Sequence, residues 1–208
     1  MTSIESILDG IKVIPVIAPT SAQNTVELAK ALIAGGVNAI EITLRTNAAI
    51  DSIIAVKESN LDIRLGVGTI TSSELVHTVS EIGVDFGVSP GLTPSVLEAA
   101  KETNLPLLPG VTSPSEIMLG MEHGHHVFKL YPAVAINGVN LLKSLHGPFP
   151  NVSFCPTGGI NLSNSLDYIN LPNVICIGGS WMVPEDLLKS DQWAQITQLC
   201  KDAVNHLN

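Results

Sequence analysis

Short β-rich runs alternate with segments of helical periodicity along the whole 208-residue chain. Eight strand–helix units follow one another at roughly 20–27-residue spacing. This alternation is typical of parallel strands joined by crossover helices. We therefore expect an α/β fold, a single-domain (β/α)8 TIM barrel over residues 1–208. The predicted strands are Lys12–Ala18, Ala39–Leu44, Arg64–Thr69, Asp85–Ser89, Pro106–Val111, His126–Tyr131, Ser153–Thr157 and Val174–Ile177.

Capping residues and glycines mark the ends of the helical segments between those strands. Asn47, Ser72, Thr93 and Ser113 precede helical patterns, as N-cap residues do. Glycines close several of them, at 35–36, 83 and 124. The predicted helices include Thr25–Ala34, Ala48–Glu58, Ser73–Ile82, Pro94–Thr103 and Pro114–His123.

The leading segment Ile4–Leu8 fits a short helix that caps the bottom of the barrel. A doubly wound open sheet is the alternative architecture, but no GxGxxG motif follows the first predicted strand. No linker divides the sequence, so we expect no second domain.

Composition and charge narrow the class of partner. The formal net charge of −9 argues against nucleic acid and anionic membranes. Pro15 and Pro19 interrupt the longest early apolar run, so no membrane span is expected. The first residues lack the basic region of a signal peptide. We expect a cytoplasmic protein whose partner is a small molecule.

The cysteines and histidines do not form a metal-binding pattern. Cys155, Cys176 and Cys200 lack the CxxC spacing, and we expect buried thiols in a reducing compartment. The run His123-Gly-His-His126 precedes a predicted strand, on the face opposite to the chemistry of barrel enzymes. We therefore expect neither a metal nor another cofactor.

Lys129 is the first candidate for chemistry, because it lies inside the apolar strand His126–Tyr131. A lysine is rarely buried without a partner, since removing its ammonium from water is costly. Burial favours the neutral amine, the form that attacks a ketone to make a Schiff base. An edge-strand lysine facing water is the alternative for an isolated case.

The second predicted strand has one polar face, formed by Glu41, Thr43 and Arg45. Such a stripe is unusual in a parallel strand, which is normally apolar on both faces. A self-contained Glu–Arg pair inside the barrel is the structural alternative. Of ten Lys and Arg residues, only Arg45 and Lys129 lie at or near the carboxyl ends of strands. These two are the expected side-chain cations for an anionic ligand.

Glycine pairs follow the last two predicted strands, in Pro156-Thr-Gly-Gly159 and Gly178-Gly-Ser-Trp181. The loops after strands seven and eight form the recurring phosphate site of this architecture. Glycine lets backbone N–H groups approach phosphate oxygens. Residues 183–188 are predicted to add a short helix, with Pro184 in its first turn.

These motifs together resemble the 2-keto-3-deoxy-6-phosphogluconate (KDPG) aldolase family, class I aldolases that include 4-hydroxy-2-oxoglutarate (KHG) aldolases. The resemblance runs nearly end to end. It is seen in Pro15-Val-Ile17, Glu41-Ile-Thr-Leu-Arg-Thr46, Gly68-Thr69, Ser89-Pro-Gly91, Phe128-Lys129, Pro132-Ala133, Cys155-Pro-Thr-Gly-Gly-Ile160 and Ile177-Gly-Gly-Ser-Trp181.

The resemblance implies roles for individual residues. Lys129 would form the Schiff base, and Glu41 would be the general acid and base. Arg45 and Thr69 would hold the substrate carboxylate. Gly158, Gly159 and Ser180 would hold the phosphate, and Thr157 would lie near the substrate hydroxyls. The other expected substrate contacts are Pro90, Tyr131 and Gly179. The family also implies a homotrimer without a metal.

Two positions depart from the family pattern. Members commonly have two phenylalanines after the lysine, whereas this chain has Leu130 and Tyr131. Many carry a glutamate after the Pro-Ala pair, where this chain has Val134. Tyr131 would keep an aromatic wall beside the imine and add a hydroxyl.

The resemblance implies cleavage of KDPG to pyruvate and glyceraldehyde 3-phosphate, with KHG cleavage to pyruvate and glyoxylate as a further activity. The galactonate isomer of KDPG is an alternative substrate, and Thr157 is the residue expected to distinguish the two. Two other functions stay open from the residues alone. One is a metal-independent sugar-phosphate epimerase or isomerase with Glu41 as base. The other is a non-catalytic phosphate-binding barrel in which Lys129 and Glu41 pair structurally.

Overall fold

Strands and helices alternate along residues 3–208, the part of the chain that the computed structural model describes. The strands are β1 (Val13–Ile17), β2 (Ala39–Thr43), β3 (Arg64–Gly68), β4 (Phe86–Val88), β5 (Leu107–Leu108), β6 (Gly110–Val111), β7 (Val127–Leu130), β8 (Ser153–Pro156) and β9 (Ile177–Gly179). The helices are α1 (Ile4–Leu8), α2 (Ala22–Ala34), α3 (Ala49–Glu58), α4 (Ser73–Ile82), α5 (Pro94–Glu102), α6 (Pro114–Glu122), α7 (Gly138–His146), α8 (Ser165–Ile169), α9 (Glu185–Lys189) and α10 (Trp193–Leu207). Within residues 3–208, no helix combines the length and the apolar character that a membrane crossing requires.

All paired strands run parallel. One sheet has the order β5-β4-β3-β2-β1-β9, and a second has the order β6-β7-β8. Only Pro109 separates β5 from β6, and two isolated parallel bridges, Phe154–Val174 and Thr157–Gly178, reach from β8 towards β9. This curled parallel arrangement confirms the predicted α/β class and is of the TIM-barrel-like type.

The period-two geometry of the strands sorts their side chains into two apolar clusters. In β2, Ile40 and Ile42 pack with helix residues such as Leu28 in the larger cluster. Ala39 belongs to a second, smaller cluster. Glu41 and Thr43 have the same parity as Ala39, so they point to its side of the strand. In β7, Lys129 likewise follows the parity of Val127, a member of the smaller cluster.

The predicted caps are confirmed at three helices. The hydroxyls of Ser72, Thr93 and Ser113 accept hydrogen bonds from backbone N–H groups in the first turns of α4, α5 and α6. Gly83 ends α4 in the left-handed conformation, at φ 76°. A residue with a Cβ would be strained there, which explains the glycine.

Asn47 was wrong as a helix cap. The N-cap position of α3 is Ala48, which makes no side-chain capping bond. The chain enters this helix through a backbone turn in which the Ala49 N–H donates to the Thr46 carbonyl. Helix α2 starts at Ala22 rather than Thr25, because Ser21 caps it by accepting from the Asn24 N–H at 3.2 Å.

Two predicted strands also differ. The predicted strand Pro106–Val111 is divided into β5 and β6 because Pro109 has no N–H to donate to a ladder. The last strand was predicted at Val174–Ile177, but β9 covers Ile177–Gly179 and Val174 makes only an isolated bridge. The ladder with β1 pairs Gly178 with Ile14 and Gly179 with Pro15, so both glycines belong to the strand.

Candidate active site

One cavity of about 540 Å³ brings together all eleven predicted site residues. They come from six strands and the loops that follow them, at the carboxyl ends. The predicted residues are Glu41, Arg45, Thr69, Pro90, Lys129, Tyr131, Thr157, Gly158, Gly159, Gly179 and Ser180. The cavity is therefore formed where parallel-barrel enzymes place their chemistry.

Lys129 and Glu41 form a buried ion pair in the wall of this cavity. The Lys129 Nζ donates to the Glu41 carboxylate oxygens at 3.0 and 3.3 Å. Lys129 and Glu41 are only 5% and 3% exposed, so Lys129 is not the water-facing edge lysine of the alternative interpretation. Burying two charges costs several kcal/mol, which their attraction does not reliably offset. This cost favours a functional reason for the pair over a stabilising one.

The space for the Glu41 carboxylate exists because residue 68 is glycine. Gly68 pairs with Thr43 in the β2–β3 ladder. A Cβ at Gly68 would overlap with Glu41 Oε1 and lie 2.7 Å from the carboxyl carbon of Glu41. Any larger residue would displace the carboxylate from Lys129.

Arg45 lies just beyond β2, with an exposed side chain at the mouth of the cavity. Its Nε–H donates to the Thr43 hydroxyl at 3.1 Å, rather than to Glu41. The Glu–Arg pair considered from sequence is thus replaced by the Glu41–Lys129 pair. The two terminal nitrogens of the guanidinium remain available to donate hydrogen bonds to both oxygens of a carboxylate.

Thr69 has a strained backbone at the edge of the cavity, with φ at 68°. The other non-glycine residues with positive φ in the described chain are asparagines and one aspartate, which tolerate this region. A β-branched residue there is a real outlier and costs about 1–3 kcal/mol. Strain of this kind is concentrated at functional sites.

Hydrogen bonds from the segment after β7 hold the predicted phosphate loop, residues 157–159, in place. The N–H groups of Ala133 and Val134 donate to the carbonyls of Thr157 and Gly158 at 2.8 and 3.0 Å. Gly158 and Gly159 both have positive φ, at 103° and 79°. Glycine is required for this turn, and its small size leaves the loop backbone open to a ligand.

Ser180 and Gly179 lie opposite, at the end of β9. The Ser180 hydroxyl donates to the Val16 carbonyl at 2.6 Å, which holds this end against β1. A Cβ at Gly179 would overlap with the Trp181 ring. Trp181 therefore closes this side of the cavity over the glycine.

The predicted short helix after the last strand exists as α9, but it does not line the cavity. Pro184 is its N-cap residue rather than a first-turn residue. Its first turn carries Glu185 and Asp186, whose carboxylates would repel a phosphate. The structure therefore gives no support to the expectation that this helix completes the phosphate site, which stays a prediction.

Tyr131 forms an aromatic wall beside the lysine. The Lys129 Nζ lies 5.4 Å from the centre of the Tyr131 ring, within cation–π distance. The ring is 38% exposed and would contact a Cβ at Gly158 at 3.3 Å. Tyr131 thus connects the lysine to the glycine loop.

The three cysteines are free and buried, as predicted. A hydrogen bond with Cys155, followed by burial, raises the pKa of Cys176 well above its usual range, with smaller contributions from the charges of Cys155 and Glu41. Burial raises the pKa of Cys200 to about 12. Cys176 and Cys200 therefore stay protonated at neutral pH and are not nucleophiles.

The predicted histidine run lies between α6 and β7, away from the cavity. Burial, and then the neighbouring His123, lower the pKa of His125. Over residues 3–208, no three His, Cys, Asp or Glu side chains converge as ligands for a metal ion.

A second cleft, of about 470 Å³, lies near the amino ends of β1 and β3. Lys12 and Arg64 line it, together with Asp9 and Asp62. Its four charged residues are all exposed. The two cavities are similar in volume, so volume alone does not show which one is the active site. The buried lysine–glutamate pair identifies the candidate.

Sequence reasoning missed four residues that line the cavity: Val16, Thr43, Ile160 and Trp181. Thr43 carried a signal, since it belongs to the polar stripe of β2. Val16 and Ile160 lie within motifs that carry the family resemblance, but as ordinary apolar residues they have no chemical signal of their own.

Comparison with known proteins identifies the family. The family model described as KDPG and KHG aldolase matches residues 4–199. The KHG/KDPG aldolase of Escherichia coli (strain K12) is 46% identical over 203 residues, which cover 98% of this chain and 95% of the relative.

Solved structures agree with this assignment. A KDPG aldolase from Legionella pneumophila, with pyruvate captured at low pH as a covalent carbinolamine intermediate, superposes with a TM-score of 0.92 at 42% identity. The match covers 95% of this chain and 96% of that one. The aldolase of Zymomonas mobilis ZM4, with 3-phosphoglycerate, has a TM-score of 0.90 at 38% identity and covers 98% and 95%. This chain belongs to the KDPG and KHG aldolase family, and it is a carbon–carbon lyase.

Proposed function

We propose that the protein is a class I aldolase that cleaves KDPG to pyruvate and glyceraldehyde 3-phosphate, with Lys129 as the Schiff-base residue. The observation that carries this proposal is the buried Lys129–Glu41 pair, 3.0 Å apart, in the wall of a cavity. An amine and a proton acceptor in contact are the two groups that imine chemistry needs. The Legionella relative with its captured carbinolamine supports the same chemistry.

Glu41 is the proton carrier of the proposed reaction. Its carboxylate contacts the Lys129 Nζ, so it is placed to receive the proton that the amine must lose before attack. The amine adds to the C2 ketone of the substrate, and the protonated carbinolamine loses water to give a protonated imine. Glu41, directly or through a water molecule, supplies and removes protons in these steps.

Carbon–carbon cleavage follows from the imine. The protonated nitrogen accepts the electron pair of the C3–C4 bond as the C4 hydroxyl loses its proton to Glu41. Glyceraldehyde 3-phosphate leaves, and the enamine that remains is protonated at C3. Hydrolysis of the resulting imine frees pyruvate and regenerates the Lys129 amine.

Arg45 and Thr69 are proposed to hold the substrate carboxylate. The Arg45 fork suits bidentate recognition, and Thr69 offers a hydroxyl and a backbone N–H at the same edge of the cavity. Holding the carboxylate fixes the adjacent ketone against Lys129, and such positioning is a major source of rate enhancement.

The phosphate is proposed to bind at Gly158, Gly159, Gly179 and Ser180. The open glycine backbone supports this assignment, as does the Zymomonas relative with 3-phosphoglycerate. Pro90 and Tyr131 are proposed to enclose the reacting carbons, and Thr157 to contact a substrate hydroxyl. The Thr157 hydroxyl has two long internal contacts, to the Cys155 carbonyl at 3.4 Å and to the Cys155 Sγ at 3.9 Å.

KHG cleavage to pyruvate and glyoxylate is proposed as a second activity. It requires the imine and the carboxylate grip but not the phosphate loop. The Escherichia coli relative, whose name includes both substrates, supports this extension.

The test is a cleavage assay that measures pyruvate release from KDPG and from KHG. Replacing Lys129 with Ala should reduce turnover of both substrates to background while the thermal unfolding curve stays cooperative. Lys143→Ala is the matched control, because Lys143 lies on α7 outside the cavity. Residual Lys129→Ala activity within about tenfold of wild type would reject the assignment.

We further infer a closed eight-stranded barrel in a single domain over residues 1–208. The split fifth strand and the bridges between β8 and β9 support closure. Helix α1 is proposed to cap the amino end, because Ile4, Ile7 and Leu8 pack in the smaller apolar cluster. Residues 1–2, which this range includes, lie outside the described part of the chain.

We also infer a homotrimer in the cytoplasm, which acts without a cofactor on a small phosphorylated acid. Family membership supports the trimer, and the free buried thiols support a reducing compartment. Sedimentation at three times the chain mass of 21.9 kDa is the expected result, and sedimentation as a monomer would contradict it.

A further inference from the structure

We infer that Thr43 is a positioning residue for Arg45, whose guanidinium it holds in the orientation that receives the substrate carboxylate. The inference deepens the proposed function and rests on it for the identity of the ligand. The Thr43 hydroxyl connects the end of β1, at the Ile17 carbonyl, to the flexible side chain of Arg45.

The hydroxyl of Thr43 is anchored from below. Thr43 is the last residue of β2, and it is only 1% exposed. Its Oγ1 donates to the Ile17 carbonyl at 2.8 Å, at the end of the neighbouring strand β1. The single hydroxyl proton is thereby committed, which leaves the oxygen lone pairs free to accept.

The same oxygen accepts from Arg45. The Arg45 Nε–H donates to Thr43 Oγ1 at 3.1 Å, so the chain of bonds runs from Arg45 through Thr43 to Ile17. Because Thr43 uses Nε, the two terminal nitrogens of Arg45 stay available as a pair. Both residues line the cavity that contains Lys129.

Arg45 needs such an anchor because its side chain is exposed and lies beyond the end of the strand. A free arginine has many rotamers, and ordering them on ligand binding weakens affinity. A guanidinium that is already held in the bound orientation avoids that loss. Since Lys129, the proposed imine-forming residue, lines the same cavity, the expected ligand is a carboxylate next to a ketone, as in pyruvate.

Thr46 provides a matched control within the same loop. Its hydroxyl also donates to a backbone carbonyl, that of Pro19 at 2.8 Å, and so it also attaches the loop to the segment after β1. The hydrogen bond of Arg45 is to Thr43 and not to Thr46. If Thr43 only attached the loop to the β1 end, Thr43→Val and Thr46→Val would weaken pyruvate binding equally.

The first experiment measures the pyruvate concentration that gives half-maximal borohydride trapping on Lys129. For Thr43→Val we expect a rise of about tenfold with unchanged trapping at saturation, while Thr43→Ser and Thr46→Val stay within about twofold of wild type. In an Arg45→Ala background, Thr43→Val should add less than about twofold. An equal rise in Thr46→Val, or an undiminished Thr43→Val effect without Arg45, would overturn the inference.

The second experiment does not depend on the aldolase reaction. The chain has two arginines, Arg45 and the exposed Arg64, so a ¹⁵N spectrum of arginine Nε–H groups contains two signals. Thr43→Val should speed water exchange of the Arg45 signal about fivefold or more and leave the Arg64 signal unchanged. Unchanged water exchange of the Arg45 signal would reject the positioning role of Thr43, whether or not the wild-type protein forms an imine. A wild-type protein that forms no imine would reject only the proposed aldolase function.

Discussion

At the scale of single residues, the chemistry depends on small side chains as much as on charged ones. Gly68 has no function of its own in the proposed reaction. Its missing Cβ leaves the volume that the Glu41 carboxylate occupies, 3.0 Å from Lys129. The position of the proton carrier is therefore set from the neighbouring strand.

Gly68→Ala should consequently lower kcat by about 100-fold, because a misplacement of about 1 Å in a catalytic group has that effect. The added Cβ forces the Glu41 carboxylate away from Lys129. Steady-state kinetics on KDPG measure the effect, with circular dichroism to confirm the fold. Gly147→Ala is the control, since nothing lies within 4 Å of a Cβ there and the backbone is helical. A Gly68→Ala enzyme with kcat within about twofold of wild type would contradict this role of glycine.

The charged residues of the site were predictable from sequence, whereas their partners were not. A lysine in an apolar strand and a polar stripe at period two are local signals, so Lys129, Glu41 and Arg45 could be found. The pairing of Glu41 with Lys129 joins residues 88 positions apart, and no local pattern contains it. The role of Gly68 was hidden for the same reason, since it exists only through contact with another strand.

At the scale of elements, a local sequence pattern stabilises the amino end of helix α6. Ser113 and Glu116 form a capping box, in which the Ser113 hydroxyl accepts from the Glu116 N–H. Glu116 Oε2 in return accepts from the N–H groups of Thr112 and Ser113 at 2.7 and 2.8 Å. Desolvation raises the pKa of Glu116, but hydrogen bonds from Thr112 and Ser113 together outweigh it and leave the pKa below its usual value.

This carboxylate predicts a pH dependence of stability. A depressed pKa means that its contribution is fully present above the unfolded-state value of about 4.3 and is lost as the pH falls through the folded-state pKa. Because this carboxylate is largely exposed and screened by water, Glu116→Ala should cost only about 0.5 kcal/mol of unfolding free energy at pH 7, and progressively less below about pH 4.

Urea unfolding at a series of pH values measures this difference between wild type and variant. Glu122→Ala is the control on the same helix, because Glu122 is an exposed acid at the opposite end. A Glu116→Ala loss that stays constant as the protein is acidified would show that the charge of Glu116 contributes nothing.

Element boundaries were predictable where a residue acts on its own neighbours. The caps at Ser72, Thr93 and Ser113 and the closing Gly83 are of this kind. The failures at Asn47 and at the last strand have a different origin. Residues 177–179 form a strand because β1 pairs with them, although two of the three are glycines, which have low strand propensity.

At the scale of the whole molecule, the parallel architecture gathers distant residues at one edge. Six strands and the loops after them supply the eleven predicted residues that line the cavity. The order of strands and helices predicted this convergence, because carboxyl ends of parallel strands lie on the same side. The exclusion of α9 from the cavity was not predictable from order alone, since it depends on how the chain turns after Trp181.

To test whether Lys129 forms the Schiff base, the protein is incubated with pyruvate and borohydride, and the adduct is located by peptide mass spectrometry. Reduction of the imine traps pyruvate on the nitrogen that formed it. We expect a single reduced pyruvyl adduct, on Lys129, at full occupancy under saturating pyruvate. Folded protein with no adduct, or with an adduct on a different lysine, would contradict it.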